Sequence, residues 1–301
     1  DIYNLLIDIL FVQDKTLSMV EAVKKFVHDG AFIYFGGFSH SEPYAAAHEI
    51  IRQKKRNLTL TRAAGGILFD QMIGAGCAKE VITSHVGNII GPAPCWAFRR
   101  AVERGIPKRI KVREHSVFSL TMAYFAASIG VSFMPTKSVL GSEVAEERKE
   151  MKCPFTGERL ALIPAIKPDV GFLQVQRCDV HGTAQLWGII GDARYGINAC
   201  EKIVVCTEEV VDTGVIRAEA EKTIIPAFRV RAVVETPWGG HPNHVQDYYE
   251  RDIKFYQMYA RETKTLEGFE GFMQKWVYGV EDRKEYLKLL PPGTLDRLRH
   301  R

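Results

Sequence analysis

The residues best suited to chemistry stand in Asp29-Gly30-Ala-Phe-Ile-Tyr-Phe-Gly36-Gly37-Phe38, with Pro43 five residues further on. Ala31 to Phe35 is a wholly apolar run of strand length that ends in two residues without a Cβ. Pro43 suits the first turn of a helix beginning near Glu42. Loop amides at the end of such a strand can donate hydrogen bonds to an anionic or carbonyl oxygen. Gly36, Gly37 and Phe38 are therefore candidate substrate-binding residues. A plain tight turn is the alternative, because a glycine pair is far less specific than a phosphate loop. The chain has neither G-x-x-x-x-G-K-[ST] nor a clean G-x-G-x-x-G.

Other candidates follow similar apolar runs. Leu58 to Thr61 leads into Ala63-Ala64-Gly65-Gly66, which adds Gly65 and Gly66. Glu80 to Ser84 leads into His85-Val-Gly-Asn88; Ser84 and Asn88 can donate to a substrate carboxylate or belong to a satisfied loop network. Arg62 and Arg113 stand at strand ends, where each can pair with a carboxylate ligand or form an ordinary salt bridge. His241, after Gly239-Gly240, can shape a pocket or interface turn. His241-Pro-Asn-His244 without a third ligand at a plausible spacing is poor grounds for a metal, and none is expected. His181 before Gly182 reads as a turn residue, and Trp187, Trp238 and Trp276 as packing in the core or at an interface.

These candidates need elements to hold them. Ser18-Met-Val-Glu21 has the spacing of a capping box, and Val20, Val23 and Val27 then recur at helical spacing up to a stop at Asp29-Gly30. A fully apolar strand after a helix implies a sheet covered on both faces. Arg109 to Arg113 and a largely apolar helix from Phe118 to Ile129 continue the alternation. Further strands are expected at 170–175, 183–187, 203–206 and 230–235. The fold class is α/β, with a mostly parallel central sheet flanked by helices and a helical extension over 248–301. One domain over 1–301 is expected, since no Pro/Gly/Ser linker or repeat divides it. The segment from Gly141 to Arg159, with its charge run from Glu146 to Glu150, is expected to be a mobile surface loop.

Composition narrows the classes further. A net charge of +4 over 301 residues suits anionic small molecules, but it is too small and dispersed to imply nucleic acid. Lys54-Lys55-Arg56 reads as a solvated helix end. The six cysteines show no C-x-x-C spacing, which fits reduced, partly buried thiols and a cytoplasmic location. The apolar start is interrupted by Asp8 and falls short of the roughly twenty residues a bilayer span needs. Residues 1–16 are expected to pack on the body or on a partner, with no membrane association.

The assembled motifs resemble family I CoA-transferases, specifically the α subunit of the glutaconate CoA-transferase type. The resemblance rests on the Asp-Gly, strand, Gly-Gly-Phe unit, Pro43-Tyr-Ala-Ala-Ala47, Ala63-Ala-Gly-Gly66, Ile73-Gly-Ala-Gly76 and Phe133-Met-Pro135. Asp179-Val-His-Gly182 through Trp187-Gly188 and Pro237-Trp-Gly-Gly-His-Pro242 complete it. It implies CoA transfer between an acyl-CoA and a short (di)carboxylic acid through a glutamyl-CoA thioester. The CoA thioester is then a substrate, and no permanently bound cofactor is implied. It also implies that the nucleophilic glutamate lies on a β subunit in an (αβ)n assembly, leaving this chain no catalytic residue of its own. Glu143 follows Gly141-Ser142 but lacks the Asn-Gly half of the nucleophile motif, so Gly141 and Ser142 are taken as a pocket or interface loop. Relatives of this subunit resemble CoA-ester decarboxylases and ring-cleaving hydrolases. In those hydrolases an acidic residue is implicated shortly after the strand ending near Arg113, where this chain has Val117. A non-catalytic ligand sensor on the same scaffold is a further reading, weakened because residues 1–17 are too short for a helix-turn-helix.

Overall fold

The computed structural model of the chain describes residues 13–88, 94–143 and 149–300. The apolar start at 1–12 and residues 146–148 of the charge run lie outside them.

The first half alternates as the apolar runs imply. It comprises α1 (Met19–Phe26), β1 (Phe32–Phe35), α2 (Tyr44–Arg52), β2 (Leu58–Thr61) and α3 (Gly66–Gly74). Then come β3 (Ala78–Thr83), α4 (Trp96–Arg104), β4 (Lys111–Glu114) and α5 (Val117–Ser128). Ser18 and Glu21 cap α1 reciprocally, each accepting from the other's amide. The helix ends at Phe26, earlier than the expected stop, and Gly30 takes the left-handed turn (φ +83°) that enters β1. In β1 the two-residue period sends Ile33 and Phe35 into one apolar core and Tyr34 into the other.

Among the described residues of the segment expected to be a loop, 141–159, only Glu150–Lys152 and Arg159 enter strands, as part of a small sheet. β5 (Phe133–Thr136) and β6 (Glu150–Lys152) both pair antiparallel with β7 (Arg159–Pro164). Charged residues here alternate on exposed strand faces, with Arg159 paired to Glu150 at 2.8 Å across the hairpin. The end of the charge run is therefore a solvated strand rather than a solvated loop.

The second half supplies β8 (Val170–Cys178), β9 (Ala184–Gln185), α6 (Ala193–Ala199), β10 (Lys202–Val210), α7 (Thr213–Ala218), β11 (Thr223–Ile225) and β12 (Val230–Glu235). The tail is helical: α8 (Ile253–Glu262), α9 (Leu266–Met273), α10 (Arg283–Lys288) and α11 (Thr294–Leu298). Seven strands run parallel in the order β12-β10-β8-β1-β2-β3-β4, and β9 and β11 are added antiparallel beyond the end of β1. Residues 15–17 pair along the outer edge of β12 through Leu17 N–H to Val233 O and Val233 N–H to Lys15 O. No helix of the described residues is long and apolar enough to cross a membrane.

This strand order has a functional consequence. From β1 the chain proceeds outward through β2, β3 and β4; from β8 it proceeds the other way through β10 and β12. β1 and β8 are neighbours, so the order reverses between them. In open parallel sheets the crevice beyond the carboxyl ends of strands at such a switch point is where ligands bind. Gly36-Gly37 stands at that place.

Candidate active-site wall at the end of β1

The loop from Gly36 to Pro43 leaves the sheet in an unusual backbone. Gly37, Ser39 and Ser41 have φ of +90°, +61° and +52°, a region that non-glycine residues rarely adopt. Alternating signs of φ are the pattern that turns successive amides toward one concave side. The Gly36 amide is used, donating to Phe172 O at 2.8 Å, and the Ser41 amide donates to His244 O at 2.9 Å. Between them the amides of Gly37, Phe38, Ser39 and His40 have no hydrogen-bond acceptor among the described residues. Four consecutive free donors at a topological switch point can hold a carboxylate or a developing oxyanion.

Both glycines are required by their neighbours. A Cβ on Gly36 would lie 2.4 Å from Leu173 Cδ1, and one on Gly37 would lie 2.5 Å from both His40 O and Ser41 O. The Phe38 ring lies against Gly191, where a Cβ would come within 2.4 Å of it.

Neighbouring loops extend the wall. Arg62 follows β2 and is fully buried, donating from Nη2 to Gly37 O at 2.9 Å and to Glu42 Oε1 at 2.9 Å. Burial opposes its charge, but Glu42 more than offsets that and keeps it protonated. The loop at Gly65-Gly66 is tied to the loop after β3 by Gly65 N–H to His85 O at 2.9 Å and by Ser84 Oγ to Ala63 O at 2.5 Å. Gly36, Gly37, Phe38, Gly65, Gly66, Ser84 and Asn88 thus follow three adjacent parallel strands along one edge. Arg62 and Arg113 both form salt bridges within the chain, Arg113 with Glu80 at 2.8 Å.

Gly141 and Ser142 lie elsewhere. They are exposed beyond β5, and the Ser142 hydroxyl bonds back to Val139 O at 2.7 Å. His241 is fully buried below the wall, with Nδ1 2.8 Å from Tyr286 Oη and Nε2 3.2 Å from Asp252 Oδ2. Burial lowers its pKa to about 4, so it is neutral near pH 7. Its backbone matters more: the turn from 237 to 244 clamps the site loop through Ala45 N–H to Gly239 O at 3.0 Å and through the bond from Ser41 to His244.

Several residues with roles here carry no clear signal in the sequence. His40 lies against His244 with the rings tilted by 31° and their centroids 5.3 Å apart, and burial lowers both pKa values. Arg251 reaches from the tail side of the turn to Ser39 O. Asp192 is buried beside Arg62, accepts from Tyr34 Oη at 3.2 Å, and has its pKa raised to about 6 by burial. The glycines at 188 and 191, a second closely spaced set, are the one available signal for Asp192.

Glu208 supports the turn from behind. It accepts from Trp238 N–H at 2.5 Å, Tyr249 Oη at 2.6 Å and Gln174 Nε2 at 2.8 Å. Burial pushes its pKa up to about 7 despite these donors. Its folded pKa exceeds the unfolded value, so its contribution to stability is full below about pH 4.5 and is lost as pH rises through 7. Tyr249→Phe removes a donor to the ionised carboxylate and is expected to cost about 1.5–3 kcal/mol at pH 8. Thermal melts should find a smaller loss at pH 5.5, where Glu208 is protonated; an equal loss at both pH values would refute this account.

Comparison with known proteins shows the family and the fold. The family described as Coenzyme A transferase matches residues 16–236. The A subunit of 3-oxoadipate CoA-transferase from Pseudomonas knackmussii is 36% identical, covering 92% of this chain and 98% of that one. The A subunit of glutaconate CoA-transferase from Acidaminococcus fermentans is 31% identical over 95% of this chain and 94% of its own. The crystal structure of glutaconate coenzyme A-transferase from that organism superposes with a TM-score of 0.88, at 30% identity, covering 95% of this chain and 96% of its own. A variant of the decarboxylase AibA/AibB superposes with a TM-score of 0.74 at 26% identity, covering 87% of this chain and 100% of that one. The mixed α/β fold, the parallel sheet and the resemblance drawn from the motifs all stand, and the chain belongs to the coenzyme A transferase family.

Proposed function

We propose that this chain is the α subunit of a heteromeric CoA-transferase that moves CoA between an acyl-CoA and a short (di)carboxylic acid. The observation carrying this reading is the run of four free amides, 37–40, at the switch point between β1 and β8. Such donors suit the carbonyl oxygen of a thioester and the carboxylate that receives CoA, and they gain strength as negative charge develops there.

The chemistry also needs a nucleophile. The carboxylates beside the wall, Glu42 and Asp192, are buried and engaged with Arg62 and Tyr34, which suits them to holding structure rather than to attack. A glutamate on a β subunit, facing these amides, completes the site. It attacks the acyl-CoA to give a mixed anhydride and CoA thiolate, and the thiolate attacks the glutamyl carbonyl and releases the donor acid as its carboxylate. The acceptor carboxylate then takes CoA by the reverse steps and frees the glutamate. That the similar transferase chains are each named as one subunit supports the need for a partner.

The test uses the complex purified with its partner. It is incubated with candidate acyl-CoAs, reduced with borohydride and mapped by peptide mass spectrometry. A partner glutamate reduced to the alcohol is expected, with no transfer by this chain alone. Consumption of acyl-CoA with no adduct on either chain would overturn the reading and favour the decarboxylase or hydrolase branch.

A further inference from the structure

We infer that Arg62 is a positioning residue, setting the direction in which the Gly37–Phe38 peptide presents its N–H to substrate. For its kinetic readout this rests on the transferase reading above.

The argument begins with the peptide plane. The Gly37–Phe38 bond is trans, so its carbonyl and its N–H point in opposite directions. Arg62 Nη2 holds that carbonyl at 2.9 Å from the β2 side. The Phe38 N–H must then face away from Arg62, and it has no acceptor among the described residues. The same nitrogen bonds Glu42 Oε1 at 2.9 Å, so one guanidinium closes the loop from 37 to 42. That loop carries three left-handed residues, two of them serines, and holds such a shape only while its surroundings over-determine it.

A buried ion pair is by itself weak grounds for stability, because desolvation offsets the attraction. The side chains are 1% and 4% exposed, yet Arg62 Nε and Nη1 and Glu42 Oε2 have no hydrogen-bond partner among the described residues. A purely structural pair would be expected to saturate these groups. What the pair does satisfy is the glycine-loop carbonyl.

The test is the double variant Arg62→Met with Glu42→Gln, in complex with the partner subunit. It removes both members of the pair together, so neither is left unpaired, while Asp192 loses a nearby cation and shifts toward its neutral form. Assembly and melting temperature are expected to stay near wild type, while exchange of the bonded loop amides of Gly36 and Ser41 quickens about tenfold. Turnover should fall about 100-fold with KM within about threefold, as expected for a misplaced donor. Arg62→Lys, which keeps the charge but not the fixed fork, should fall between. Wild-type exchange at Gly36 and Ser41 in the double variant would overturn the proposal, and so would wild-type turnover. Faster exchange in the variant, with no CoA transfer by the wild-type complex, would uphold the positioning role and sink the transferase reading instead.

Discussion

Gly37→Ala is expected to lower the CoA-transfer rate of the assembled complex by about 100-fold, the penalty for displacing a positioned group by about 1 Å. Gly37 has φ +90°, and an added Cβ would meet two backbone oxygens at 2.5 Å. Backbone atoms of the same loop cannot swing aside as a flexible side chain would, so the amides of 37–40 must move. Gly30 provides the control: it enters β1 at the end away from the wall and is also left-handed, at φ +83°, but an added Cβ meets nothing within 4 Å. Gly30→Ala should therefore cost only the backbone strain, about 1–3 kcal/mol of stability, with turnover changed much less. Initial rates on both complexes decide the matter. Equal losses in the two would mean that the collision at Gly37 does not govern the site.

Arg283→Ala should be the most destabilising change in the tail. This half-buried arginine donates from Nε and Nη2 to Trp238 O at 2.9 and 2.7 Å, and from Nη2 to His241 O at 2.5 Å. Its guanidinium also lies 4.0 Å from the Tyr286 ring centroid. Its removal leaves two buried carbonyls without these donors, each costing about 1–3 kcal/mol, so a loss of about 3–5 kcal/mol is expected. At about 2–4 °C per kcal/mol the melting temperature should drop by roughly 10 °C. The same turn holds Ala45 and Ser41, so exchange at the site loop should quicken as well. A melt within about 2 °C of wild type, well short of that drop, would show that the turn stands without the tail.

The core strand β1 is legible because it is short, apolar on both faces and bounded by glycine, as at Ala31 to Gly37. Legibility failed where charge and strand coincide: Glu150 and Arg159 are paired residues on solvated strands, and their periodicity carries no core signal. The glycine loop was visible as a motif, but its free amides were not, because they depend on where Phe172 and His244 lie in space. Arg62 stood out by position, yet its choice of Glu42 over an external carboxylate is a tertiary fact. Glu42 carries no signal of its own, because an acid before proline at a helix start is ordinary. His241 stands out in the sequence for its imidazole, whereas its turn contributes through backbone groups.

The adjacency of β1 and β8 also sets a clock. The bond from Phe32 N–H to Asp169 spans 137 residues, which a ribosome at about 5–20 residues per second needs roughly 7–27 s to synthesise. Strands β1 to β4 can pair in the order they emerge, but one edge of the apolar strand Phe32–Phe35 must wait for the far half of the chain. The bond that anchors Gly36 to Phe172 waits with it. The candidate wall at the end of β1 therefore cannot be completed until well after its own residues have left the ribosome.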